Sequence, residues 1–121
     1  MNFREYQEAA MRTSTHTIES TEANLVHAAL GVSTEAGKFA TSVKRIHRYR
    51  KELDLNMRAN IVEELGDLMW YIALAASAIE VDLELIANGN ILKLMSRFPD
   101  NYTNEAAEAR ADKGGLDARV S

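Results

Sequence analysis

Apolar residues recur every three to four positions through most of this chain, and that period confines it to packed helices. Leu25, Ala28, Ala29, Val32, Ala36, Phe39, Val43 and Ile46 carry the period through one segment. Ile61, Leu65, Leu68, Ile72, Ala75, Ala76 and Ile79 carry it through a second, and Leu83, Ile86, Ala87, Ile91 and Leu94 through a third. One proline and six glycines in 121 residues leave few breaks. The spacing predicts an all-α chain with four main helices: a short one ending near Arg12, then about 22–51, 56–79 and 82–97. A chain of this length holds one domain with a modest core, and chains of this kind often finish burying their apolar faces by oligomerising.

The middle segment carries acids in an unusual place. At about 100° per residue, its apolar residues share one stripe, and Glu64, Asp67 and Tyr71 form a second row directly beside it. Two carboxylates standing side by side at the edge of a buried face repel one another and tend to take up protons. A divalent cation removes that repulsion. The plain alternative is a solvated helix flank, which is the usual meaning of acids three apart.

Other features bound the function. A net charge of −4 gives no basic footprint and argues against nucleic acid as a partner. The absence of cysteine excludes a disulfide framework and thiolate catalysis and suits a reducing, cytoplasmic setting. The apolar run 68–79 is too short to span a bilayer, so no membrane partner is expected. Residues 1–11 carry charge and lack the apolar core of a signal peptide.

Along the chain, Asn2 with Glu5 reads as a capping-box start, and 13–21 as a loop in which His16 is a surface histidine. Gly31, Gly37 and Gly66 interrupt helices at about 1 kcal/mol each relative to alanine, which points to close helix crossings. Glu35, Lys38, Ser42 and Arg45 form a polar row. Lys44 to Lys51 is a basic run that complements a helix C-terminus, with phosphate attraction as the lesser reading. Asp54 or Asn56 can cap the third helix and Asp82 the fourth. Trp70, away from the apolar stripe, suits a second packing surface, a dimer contact or a base-stacking platform. Asn90, Lys93 and Arg97 share one face that can hold phosphate or stand solvated. From 104 to 121 a weakly ordered tail, or an arm on a partner, is expected.

Three blocks taken together are more specific than any alone: Gly-x-x-x-Glu-Ala-Gly at Gly31 to Gly37, Glu-Glu-Leu-Gly-Asp at Glu63 to Asp67 followed by Trp70-Tyr71, and Asn-x-x-Lys-x-x-x-Arg-Phe-Pro at Asn90 to Pro99. Their order and spacing resemble the MazG-like nucleotide pyrophosphohydrolases. The Asn2-Phe3-x-x-Tyr6-Gln7 opening is similar to the short phage or bacterial members. The resemblance covers about residues 2 to 103 and sets a domain at 1–103 and a tail at 104–121. It implies an all-α bundle completed by dimerisation, as a homodimer or homotetramer. It further implies Mg²⁺-dependent hydrolysis of a (d)NTP to the monophosphate and pyrophosphate, with Mn²⁺ as an alternative ion. Glu35, Glu64 and Asp67 are then the metal ligands, and Asn90, Lys93 and Arg97 grip the triphosphate. Tyr71 and Trp70 would line the nucleotide pocket.

One position departs from the pattern. The family's first acidic block is Glu-x-x-Glu, and here it reads Glu35-Ala36-Gly37-Lys38, with Thr34 where the longer form begins with a further Glu. Lys38 places an ammonium where a carboxylate ligand is expected, which is unfavourable close to a divalent cation. The resulting expectation is the family fold with weakened or lost hydrolysis. The alternatives are a non-catalytic nucleotide-binding protein on the same scaffold and a plain helical dimerisation module.

Overall fold

A computed structural model describes residues 1–14, 20–99 and 103–110. The described part is helical, without strands: α1 (Phe3–Arg12), α2 (Thr21–Arg48), α3 (Leu55–Ala78), α4 (Leu83–Arg97) and α5 (Asn104–Ala109). The four main helices fall where the period places them. His16, the middle of the 13–21 loop, and the tail beyond Arg110 lie outside the described residues. The start of the expected tail is not featureless: Thr103 accepts the Ala106 amide through its hydroxyl and caps α5. Among the described residues no helix is long and apolar enough to cross a membrane.

Local chemistry sets the ends. Asn2 accepts the Glu5 amide at 2.8 Å and donates back to its carboxylate at 3.3 Å. Ser20 and Asp54 cap α2 and α3 through the amides of Ala23 and Met57. At the other ends, α2 and α3 close in the same way. Arg50 (φ 50°) and Glu80 (φ 58°) adopt the left-handed conformation, and Lys51 and Val81 donate to Ile46 and Ala76. That is the hydrogen-bond pattern of a Schellman cap, here without the usual glycine.

The described residues form two compact units, Met1–Leu83 and the part from Glu84 on. In the first, both α1 and α2 pack on α3. The buried apolar residues are small, Ala10, Ala28, Ala73 and Ala76 with Leu74 and Leu83. Tyr6, Met11 and Trp70 pack around Ala10, Ala73 and Leu83. Trp70 thus serves as a second packing surface, its indole N–H donating to Thr13 Oγ1 at 2.8 Å and Ala10 O at 3.2 Å.

Two expectations need correction. The apolar stripe of α3 is buried only in part: Ala76 is enclosed and Ile61, Leu68 and Ala75 are half-buried, but Leu65, Ile72 and Ile79 remain 40, 37 and 49% exposed. The row holding Glu64 and Tyr71 turns towards α2. The glycines also differ from one another. A Cβ at Gly31 would overlap the Tyr71 ring, whereas one at Gly37 or Gly66 would meet nothing within 4 Å. Only Gly31 marks a close crossing.

Gln7 carries a role that periodicity does not show. Its amide donates to Ser77 Oγ at 2.9 Å and Val81 O at 3.1 Å, and its carbonyl oxygen accepts the Leu83 amide at 2.7 Å. One side chain of α1 thereby ties the end of α3 to the start of α4. Asp82, the expected cap, pairs instead with Arg4 at 3.3 Å.

Gly31→Ala is expected to lower stability by about 1–3 kcal/mol through overpacking, while Gly66→Ala raises it by about 0.5–1 kcal/mol. Urea denaturation of the two variants checks the contrast. Gln7→Ala, which orphans partly buried groups on both sides, should cost about 2 kcal/mol by the same measurement.

Candidate functional site

The seam between α2 and α3 gathers most of the site. On α2 the residues turned inward are Ala28, Gly31 and Glu35, spaced three and four apart, with Lys38 and Ser42 continuing that row. On α3 the matching row is Asn60, Glu64 and Tyr71. Gly31 against Tyr71 and Ser42 against Asn60 and Glu64 fix the antiparallel register.

Glu64 is held from two sides. Its Oε1 accepts from Ser42 Oγ at 2.8 Å and from Asn60 Nδ2 at 3.2 Å, and Asn60 also donates to Ser42 Oγ at 3.2 Å. Its Oε2 is buried without a hydrogen-bond partner. Glu35 repeats this arrangement. It is 6% exposed, its Oε1 accepts Lys38 Nζ at 3.1 Å, and its Oε2 is also buried and unpartnered. A buried carboxylate oxygen without a donor costs free energy and calls for an ion or a water.

Lys38 is the cation of the seam. Its pKa lies above the ordinary lysine value, chiefly through the Glu35 hydrogen bond and charge, with Asp67 and Tyr71 adding and desolvation opposing. Asp67 itself is exposed, but its field also reaches Tyr6, whose hydroxyl is pushed up mainly by burial and then by Asp67. Tyr71 lies edge-on to His27 and to Trp70, with ring centroids at 5.7 and 5.1 Å.

Among the described residues no three His, Asp or Glu side chains gather as a metal-holding group. The two unpartnered oxygens of Glu35 and Glu64 are hard donors of the kind a divalent cation takes, so the donor chemistry fits an ion while the grouping of three does not form. Asn90, Lys93 and Arg97 stand on α4 in the second unit. Asn90 and Lys93 are exposed, and the Arg97 guanidinium lies 6.0 Å from the centre of the Phe98 ring. Ser42 belongs to a row visible in the sequence. Asn60 was not singled out there, although its position four residues before Glu64 could have marked it.

Residues 24–102 match the MazG nucleotide pyrophosphohydrolase domain, and the chain belongs to that family. It is similar to the Gene 37 protein of Mycobacterium phage L5, 36% identical over 74 residues that make up 60% of this chain and 65% of that protein. The match therefore spans somewhat less than two thirds of the phage protein's length. No solved structure matches.

Lys38 and Tyr6 also set an alkaline limit. Both hold their protons more tightly in the folded state than at the ordinary values of 10.5 and 10.0. Their contribution is therefore complete below about pH 10 and falls as pH rises through the folded values. Tyr6→Phe should keep a larger share of its neutral-pH stability at about pH 11 than the unmodified chain does, as read from denaturation at the two pH values.

Proposed function

We propose that this chain is a divalent-metal-dependent pyrophosphohydrolase of (d)NTPs whose activity is weakened by Lys38. The observation that carries the reading is the pair of buried carboxylate oxygens, Glu35 Oε2 and Glu64 Oε2, left without hydrogen-bond partners in one seam. Glu35 and Glu64 would hold the ion, with Asp67 as the third carboxylate and Mg²⁺ or Mn²⁺ as the ion. Such an ion, when bound, neutralises phosphate charge and makes a bound water more acidic for attack on the α-phosphorus.

The chain's own residues divide the remaining work. Ser42 and Asn60 fix Glu64 through one oxygen, so its second oxygen keeps a set direction. Lys38 neutralises Glu35 through the other carboxylate oxygen and so competes with a metal for that side chain. Asn90, Lys93 and Arg97 supply donors to the triphosphate, Arg97 as a planar fork and Lys93 as a point charge. Tyr71 and Trp70 belong to the nucleotide side in this reading, although the Trp70 N–H is already used within the fold. The exposed apolar residues of α2 and α3, including Leu30 and Val62, suit a second copy of the chain completing a bundle. That assembly, as homodimer or homotetramer, and a cytoplasmic setting belong to the proposal.

A second reading rests on the Lys38–Glu35 ion pair: a nucleotide-binding protein on the same scaffold that does not turn over, with Lys38 as the resident cation. The test is pyrophosphate release from a panel of dNTPs and NTPs with Mg²⁺, on this chain and on Lys38→Glu, with Asp67→Ala in the Lys38→Glu background as the inactive control. The expected outcome is faster release by Lys38→Glu than by the unmodified chain. Nucleotide binding without release in either form favours the second reading. A chain that binds no nucleotide in either form is a helical module only.

A further inference from the structure

The α2–α3 seam continues past the carboxylates as a groove. One cavity of about 570 Å³ opens on Lys38, Ser42 and Glu64. A neighbouring cavity of about 640 Å³ opens on Tyr49, Lys51 and Asn56. Ser42, Arg45 and Asn60 line both, so the two share a wall and form one path. Arg45 lies two helical turns from Lys38, about 10 Å along α2 at 1.5 Å per residue. The left-handed turn at Arg50 folds the chain back so that Lys51 faces the same cavity as Arg45.

The charges along this path are uneven. Its carboxylate end holds Glu64, and Lys38 is engaged by Glu35. Arg45 on the shared wall and Lys51 at the far end are exposed, and among the described residues neither pairs with a carboxylate. A guanidinium and an ammonium on one cavity, with the Asn56 side chain beside them, match a compact polyanion better than a neutral ligand. The other cations of the basic run, Lys44, His47, Arg48 and Arg50, line a separate cavity. The two groove cations thus open on a different cavity from the other four cations of the run.

We infer that Arg45 and Lys51 form the subsite for the pyrophosphate half of a (d)NTP, with the α-phosphate at the Glu64 end of the groove. This rests on the nucleotide reading above and adds two substrate-binding residues to it. The polyphosphate runs along α2 from Ser42 towards Tyr49. Hydrolysis at the α-phosphorus breaks the Pα–O bond to the β-phosphate. The oxygen of water becomes part of the monophosphate, and the electron pair leaves with pyrophosphate, whose charge Arg45 and Lys51 neutralise.

The test is isothermal titration of the full chain with inorganic pyrophosphate, a dNTP and the matching dNMP, repeated on Arg45→Ala/Lys51→Ala. Both side chains are exposed, so the variant should keep its thermal midpoint, and a melt confirms that it is folded. The expected result is at least about a tenfold loss of affinity for pyrophosphate and the dNTP, with the dNMP unchanged. Arg45→Lys should recover only part of the loss, because the planar fork is missing. If the double variant binds pyrophosphate and the dNTP as the unmodified chain does, the subsite is wrong while the nucleotide reading stands. If the unmodified chain takes pyrophosphate but no (d)NTP, the nucleotide reading fails and this inference fails with it. Displacement of pyrophosphate by a single-stranded oligonucleotide that binds more tightly than the dNTP would overturn the assignment in favour of nucleic acid.

Discussion

The site depends on one close approach, the backbone of α2 at Gly31 against the ring of Tyr71 on α3. No side chain larger than hydrogen fits there, so the two helices meet at a fixed point and a fixed register. With that point set, Ser42 falls beside Asn60 and Glu64. Glu35, between them on α2, is carried into the buried side of the seam. The carboxylates are positioned by a contact that contains no charge.

That placement has an energetic cost. Burying carboxylates is unfavourable unless their oxygens are hydrogen-bonded or paired. The seam satisfies one oxygen of each: Glu64 through Ser42 and Asn60, Glu35 through Lys38. The other oxygen of each is left over. A fold selected only for stability would replace such groups with apolar ones of similar volume. The small core underlines the point, since alanines supply most of its buried residues while Glu35 is buried in the seam.

Much of this was legible in the sequence, because helical period, caps and motif order are local signals. The four main helices and the Asn2 start rest on residues close together in the chain, Asp54 was one of two candidate caps for α3, and the family rests on the order of three short blocks. The buried face of α3 was legible only in part, for a physical reason. Periodicity reports where apolar residues lie, not which neighbour covers them, and here α2 covers the row of Glu64 and Tyr71. Gly37 and Gly66 looked like Gly31 because a glycine's neighbours are set by tertiary contact. Gln7 was invisible for the same reason: its three partners lie 70 or more positions away. In the site, the carboxylates and Lys38 stood out, while Asn60 and the joining of Arg45 to Lys51 depended on how α2 ends.

Trp70 is the only tryptophan in the chain and sits at the joint of α1 and α3, bonded to both Ala10 and Thr13. Its emission therefore reports one event, the seating of the N-terminal helix, separately from the helix content that circular dichroism sums over the whole molecule. The ring of Tyr71 stands edge-on to it, 5.1 Å away, and faces the seam on its other side. The molecule thus carries a built-in optical gauge one residue away from the helix crossing that holds the carboxylates in place.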